Sequence, residues 1–419
     1  MQFKKTVLAA SVALLSTESF AAAFQLAEQN VSGLGRAYAG EAALADDASV
    51  VARNPALMSQ FDSAQLSVAA MYVIPDVSLE GQSTSNGMPA SVLDDSSIAP
   101  SAAIGAGYFT LPVNDALSVG FGIFSNFGLS TDFAADYAAG QIAGNTEILT
   151  INTNVSVSYA LSDAFSVALG VNHIYADATV ERNLGANPFG APNSLQAAHL
   201  EGDDSGYGWN LGFAYTMDEH NRFGAHYRSE TDLTFTGEYS NQLPGALGGL
   251  EGQSLPGSLE LTLPAIAEFS GSHQLSPEYA VHYSVLWTRW SSFDKLEAYV
   301  PVSETPVFSK TEDFSDAIRV SVGGDYQLNE QWKLRAGLAF DESPVSQQHL
   351  SISIPDTDRF WFSFGGEVKL DDVSSLDLGA SIIRGKKQNF VESDNFAQHW
   401  GFESQGNAYL IGAQYNYRF

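Results

Sequence analysis

The feature that most limits this chain is an alternation of period two. In its cleanest instance Leu149, Ile151, Val155, Val157, Tyr159 and Leu161 fall on one side of a strand, with Thr150, Asn152, Asn154, Ser156 and Ser158 on the other. Successive strand residues point to opposite faces, so this segment offers one face to lipid and one to a polar interior. Tyr207, Trp209, Leu211, Phe213, Tyr215 and Met217 repeat the pattern against Gly208, Asn210, Gly212, Ala214 and Thr216. Ile318, Val320, Val322 and Tyr326 do so against Arg319, Ser321, Gly323 and Asp325, and Phe360, Phe362 and Phe364 make a further outward series. A soluble sandwich would turn the aromatic face inward.

The two ends of the chain carry signals that a sandwich does not need. Lys4 and Lys5 precede an apolar run from Thr6 to Leu15, and Ser19-Phe20-Ala21 fits a small-x-small cleavage site. Residues 1–21 are therefore expected to be a signal peptide. No later stretch reaches the roughly 18 uninterrupted apolar residues of a spanning helix. At the other end Tyr409, Ile411, Ala413, Tyr415, Tyr417 and Phe419 alternate with Ala408, Leu410, Gly412, Gln414, Asn416 and Arg418. A terminal phenylalanine closing such a strand resembles the signal read by the barrel assembly machinery of the outer membrane.

Short polar turns are expected near Asn114-Asp115, Ser162-Asp163, Asp218 to Asn221, Ser276 to Glu278, Asn329-Glu330 and Asp371-Asp372. Longer segments lie between them, around 75–97, 128–146, 183–204, 238–257, 298–313, 341–358 and 384–404. Six turns alternating with seven loops give about 14 antiparallel strands, with the short turns periplasmic and the long loops outside. The expected fold is an all-β transmembrane barrel, closed because a sheet in lipid cannot leave an edge unpaired. Its outward face would meet outer-membrane lipid and lipopolysaccharide, and it is expected to work as a monomer.

Composition excludes several functions. The formal net charge is −29, so nucleic acid is not an expected partner. With no cysteine, thiol catalysis and thiolate metal sites are ruled out. The eight histidines are scattered, with no His-Glu-x-x-His pattern, and no metal or cofactor is expected. An outer-membrane phospholipase would need a serine and a histidine on neighbouring strands of one face.

Residues from Ala22 to about Phe61 do not alternate and are dominated by small side chains, as in Ser32-Gly33-Leu34-Gly35-Arg36-Ala37-Tyr38-Ala39-Gly40-Glu41. A lumen of this size would hold an aqueous hole unless something filled it. The segment 22–63 is expected to be that filler, a hatch preceding a barrel over 64–419. Lumen-parity Arg228, Arg319 and Arg335 are expected to pair with hatch acids such as Asp46 and Asp47.

With these features the sequence resembles the FadL family of outer-membrane long-chain fatty-acid transporters. The resemblance rests on Phe24-Gln25-Leu26, the stretch from Ser32 to Asp47, and Arg53-Asn54-Pro55-Ala56-Leu57. It continues through Tyr72 to Asp76, Val180-Glu181-Arg182, Lys310-Thr311-Glu312, Asp316-Ala317-Ile318-Arg319 and Ser351 to Trp361. It covers essentially the whole chain after residue 21. It implies a fourteen-stranded barrel with an N-terminal hatch, not an enzyme, through which hydrophobic ligands pass by diffusion. Ligand would be caught at the outer loops, pass to an apolar pocket beside the hatch, and leave sideways through an inward kink in the third strand. That kink is placed at Ser125-Asn126-Phe127-Gly128, faced by Asn54-Pro55-Ala56. Arg182 matches a family arginine, its parity with Asn172 and Ala176 directing it into the lumen; Lys310 matches a lysine that lies near it in the family, and Glu312 is a further candidate ligand contact. A carboxylate held by arginine is a strong, oriented contact. Arg182 could instead balance Glu181 or Glu312, and Phe24 could touch a ligand tail or anchor the hatch. The loops at 183–204 and 238–257 would form the capture groove. Uptake of neutral or aromatic hydrocarbons is the second reading, and a structural or adhesive barrel or phage receptor the third.

Overall fold

The computed structural model of the chain describes residues 23–247 and 249–419; the export segment expected at 1–21 lies outside them. Twenty hydrogen-bonded segments join end to end into a closed wall of fourteen strands. They are β1 (Gln65–Thr84), β2 (Ala102–Pro112), β3 (Leu117–Phe124, resumed at Gly128–Thr131), β4 (Thr146–Ser162), β5 (Phe165–Asn183) and β6 (Gln196–Thr216). β7 runs over Asn221–Arg228 and Thr231–Ser240, β8 over Ser254–Leu263 and Ile266–Gln274, β9 over Tyr279–Thr288 and Lys295–Tyr299. β10 runs over Phe308–Thr311 and Ala317–Gln327, β11 over Trp332–Asp341 and β12 over Arg359–Lys369. β13 runs over Ser374–Gly385 and Gln388–Ser393, and β14 over His399–Arg418. Each strand pairs antiparallel with the next, and β14 returns to β1 from Gln65↔Arg418 to Thr84↔Trp400, with one shift of register between Gly81 and Ser83. The circuit closes on itself and leaves no strand with a whole unpaired edge of the kind that a lone sheet would expose.

Side chains follow the alternation. Along β4 Val155, Val157 and Tyr159 are exposed while Asn152, Asn154, Ser156 and Ser158 are buried in the lumen. The six short connections fall where the polar dipeptides stand, for example between Ser162 and Phe165. Several long connections are shorter than the sequence indicated. β1 continues to Thr84, β6 begins at Gln196, and β13 and β14 approach within the span 394–398. In these extensions the alternation inverts: the outward positions are largely polar, while Val77, Leu79, Leu200, Trp400 and Phe402 turn inward and are buried in the apolar cluster. Hydropathy loses the strand there, while backbone pairing carries it on.

Residues 23–61 sit inside the wall. They form two single-turn helices, α1 (Val31–Leu34) and α2 (Val50–Arg53), and a 3-10 turn over Pro55–Gln60. Asn30 caps α1 through Gly33, and the Asn54 side chain accepts from the Ala56 N–H, which starts the 3-10 turn. Such short helices cannot stand alone. Wall side chains hold their backbone: Ser284 accepts from Gly40, Ser270 from Ala42, Ser67 from Ala48, and Gln414 from Val31, at 2.9–3.1 Å. Wall glycines let the two surfaces meet. A Cβ added at Gly224 would lie 1.7 Å from the Ala42 carbonyl oxygen, and one at Gly337 would lie 2.1 Å from that of Arg36.

Candidate functional site

The wall is not evenly stitched. β2 and β3 pair from Pro112↔Ser118 only as far as Gly107↔Ile123, so β2 from Ala102 to Ala106 has β1 as its ladder partner and none on its β3 side. β3 breaks at Ser125–Phe127 and resumes at Gly128 against β4. Phe124 pairs with Asn152 and Gly128 with Leu149, so β3 advances 128 − 124 = 4 residues where β4 moves 152 − 149 = 3. The one extra residue makes a bulge, and the resumed segment is buried at all four positions.

Backbone groups freed by the break must find partners in a setting without water. The first described residues of the hatch supply them. Leu26 N–H donates to the Asn126 carbonyl at 2.7 Å, Gly128 N–H donates to the Phe24 carbonyl at 2.8 Å, and Gln25 bridges Phe127 antiparallel. The Gln29 amide reaches the Ser125 carbonyl at 3.2 Å, and the Thr150 hydroxyl the Phe127 carbonyl at 2.6 Å. A small hollow of about 30 Å³ remains at the break, lined by Leu26, Ile104, Gly105, Ile123, Phe124 and Leu149 among others.

The sequence reading put Asn54-Pro55-Ala56 against this break, and here the structure differs. The Asn54 amide donates to the carbonyls of Ala42 (2.6 Å) and Phe213 on β6 (2.8 Å), and the Ala56 carbonyl accepts from Ser158 and Ser166 on β4 and β5. Gly212 makes room for this turn, since a Cβ there would stand 2.3 Å from the Asn54 side-chain oxygen. The element folds the hatch onto β4–β6, and Phe24–Leu26 faces the break instead.

Phe24 is fully buried. Its ring lies 5.9 Å from Phe127, 4.6 Å from Trp290 and 5.3 Å from Phe293, and Phe314 stacks edge-on beyond them. These rings belong to one apolar cluster that runs outward past Leu261, Ile352 and Val180 to Phe308. At its outer edge the Arg182 guanidinium lies 5.7 Å over the Phe308 ring and donates to the Asn145 and Glu181 carbonyls. No carboxylate comes within 4.0 Å of Arg182 among the described residues, though Glu392, Glu312 and Glu181 act on it from further off. Lys310 is different: Glu312 lies at 3.7 Å and Glu392 at 3.6 Å, and its ammonium also donates to Ser351 and, at 2.6 Å, to Ser353. Glu312 is buried, which pushes its carboxyl above the ordinary glutamate range against the pull of Lys310.

The expected pairing of wall arginines with hatch acids takes another form. Arg335 pairs with the wall acids Asp377 and Glu367 (3.1 Å), while Arg319 donates to the Ala37 carbonyl at 3.2 Å and lies over the rings of Tyr38 and Trp361. Arg228 donates to the Ala52 carbonyl at 2.7 Å. The hatch's own arginines make the cross-links: Arg36 pairs with Asp46 at 2.7 Å and with Asp325 on β10 at 3.2 Å, and Arg53 with Glu268 on β8 at 3.6 Å. At the turn end two polar hollows of 590 and 410 Å³ flank Asp46, lined largely by charged and amide side chains and unsuited to an alkyl tail. There Ser272 and His282 pair at 3.0 Å across the β8–β9 rung, but the second histidine nitrogen is 3.6 Å from Asp325, whose carboxylate Arg36 already holds. Sequence reasoning did not single out Trp290, Phe293 or Phe314; these stand outside alternating runs and converge only in three dimensions.

A family model described as "Outer membrane protein transport protein (OMPP1/FadL/TodX)" matches residues 12–419. The chain is 42% identical over 445 residues to the "Long-chain fatty acid transport protein" of Escherichia coli O6:H1, covering all of this chain and 99% of that one. It is 37% identical over 462 residues to "Outer membrane protein P1" of Haemophilus influenzae, covering both in full. Among solved structures, a Pseudomonas aeruginosa FadL homologue superposes with a TM-score of 0.86 at 23% identity, covering 95% of this chain and 100% of that one. The P. putida toluene transporter TodX does so with a TM-score of 0.70 at 16% identity, covering 92% and 98%. A closed barrel of fourteen strands and full-length identity of about 40% lead to one conclusion: this chain belongs to the FadL/TodX family of outer-membrane transport proteins.

Proposed function

We propose that the protein admits long-chain fatty acids through the outer membrane by diffusion, releasing them sideways into the bilayer at the break in β3. Ligand is caught at the outer loops, its carboxylate is held by Arg182, and its tail lies along the apolar cluster that leads to Phe24. Lys310 contributes less than Arg182, because Glu312 and Glu392 already meet its charge. Residues 22–63 act as the hatch that blocks the straight route to the periplasm. The observation that carries this reading is the ladder that stops at Gly107↔Ile123, with hatch backbone standing in for the missing strand.

The test follows from the register. Deleting Asn126 removes the one surplus residue and lets β3 run on against β4 and β2. A strain lacking the native protein and carrying this deletion is expected to take up radiolabelled oleate at the background rate, with the barrel still folded in the membrane. Uptake equal to that of the unaltered protein would refute lateral release. Neutral hydrocarbons are the second reading, favoured by the compensation of Lys310.

A further inference from the structure

We infer that Arg228, with the amides of Asn126 and Asn210, forms a second carboxylate station beside the break in β3. It holds the head of an incoming fatty acid inside the wall while the tail enters the opening. This rests on the fatty-acid reading above.

Arg228 is buried, yet no carboxylate lies within 4.0 Å of it among the described residues. Its neighbours are the neutral oxygens of Asn172 and Ala52 and the ring of Phe124, 5.2 Å from the guanidinium carbon. Three other buried arginines have acids: Arg53 has Glu268 at 3.6 Å, Arg335 has Asp377, and Arg359 has Asp356 at 3.1 Å; Arg319 has none within 4.0 Å among the described residues but is covered by the rings of Tyr38 and Trp361. A buried charge without a counter-ion is costly, and a chain with 48 acidic residues leaves this one uncompensated.

The amides around it are also incompletely satisfied. Asn172 is bonded to Asn152 (3.1 Å), Asn154 (2.9 Å) and Asn210 (3.0 Å), but Asn126 Oδ1, Asn152 Oδ1 and Asn210 Nδ2 are buried without a partner. All three residues belong to this wall region, and Asn126, Asn152, Asn172 and Arg228 line one hollow with room for about a single water-sized group, 10 Å³. An amide can turn to present either its oxygen or its NH₂. The Arg228 guanidinium and Asn210 Nδ2 are donors as they stand, and Asn126 becomes one when its amide turns; Asn152 already donates to Asn172 and keeps its place.

Position makes the site more than a packing defect. Asn152 pairs with Phe124, the last rung before the break, and Asn126 lies within it. Phe127 lines both this hollow and the opening in the wall. Arg182 and Asn172 share the lumen face of β5 ten residues apart (182 − 172), roughly 33 Å along the strand. A cation with no carboxylate within 4.0 Å among the described residues therefore stands at each end of the apolar path.

The alternative is that Arg228 only pins the hatch through Ala52. Two ligands with one tail separate these roles: oleate, and oleyl alcohol, which lacks the carboxylate. Initial uptake is measured in a strain without the native protein, carrying the wild-type chain, Arg228→Gln, Arg228→Lys or Asn126→Ala. The expectation is that Arg228→Gln slows oleate about tenfold and oleyl alcohol less than about twofold, and that Arg228→Lys regains most of the oleate rate. Asn126→Ala, which keeps the backbone contact to Leu26, is expected to slow oleate selectively by several-fold. Equal slowing of both ligands, or no slowing by Arg228→Gln and Asn126→Ala, overturns the inference. Wild-type oleate uptake at the background rate would overturn the fatty-acid reading and this inference with it, whereas loss of uptake in Arg182→Ala alone would overturn only the second station.

Discussion

A cation serves a ligand only with the charge that its neighbours leave it. Arg182 and Lys310 both carry full-length family resemblance, and the alternation alone turns Arg182 inward with Asn172 and Ala176. What alternation does not reveal is that Lys310 meets Glu392, Ser351 and Ser353, partners 41 to 82 residues away in sequence. Arg182→Ala is accordingly expected to weaken oleate binding about tenfold in a calorimetric titration, and Lys310→Ala by no more than about threefold. Equal losses would mean that the two cations act as a pair. Glu312→Gln should tighten oleate, because it removes a buried competitor for the same ammonium. Gly224 was equally illegible as a contact. Replacing it with alanine drives a methyl into the Ala42 carbonyl, and the folded barrel should lose on the order of 1–3 kcal/mol, read as a lower temperature of heat-induced unfolding.

Elements differ in how far the sequence announces them. Strands that cross lipid are plain in alternating runs such as 149–161, because burial on one side and lipid on the other write the period directly. Their outer extensions, 76–84 or 196–204, are harder to read since the outward face turns polar and only a few inward side chains such as Val77, Leu79 and Leu200 stay apolar. The hatch is visible only as a lapse in the pattern, and the Asn54-Pro55-Ala56 turn was set against the wrong wall because nothing in a one-dimensional motif says which strands it will meet. Its attachment is electrostatic at the turn end. Burial alone would raise the Asp46 carboxyl, but the attraction of Arg36, with Lys333 and Arg335, outweighs it and holds the group well below the ordinary aspartate range. A carboxyl depressed in the folded state stabilises above its unfolded value, near 4, and that stabilisation is lost as pH falls through the native one. Thermal unfolding followed from pH 7 down to pH 3 should show the deficit of Asp46→Asn constant at neutral pH and beginning to narrow below about pH 4, with convergence only at still lower pH. A deficit independent of pH would assign the residue a packing role.

The whole molecule is a cylinder whose first and last strands are sewn together from Gln65↔Arg418 upward, so closure does not depend on the interrupted rung between β2 and β3. Separation of these two places lets the wall have a flaw without falling open. The flaw itself is mended by the segment that also fills the bore, through the Phe24 carbonyl and the Leu26 amide. Stopper and patch are thus one piece of chain. A protein stripped of residues 23–61 would gain more than a leak: it would bare an unsated stretch of β-edge to its surroundings, and its fate would be to adhere to other strands as much as to conduct.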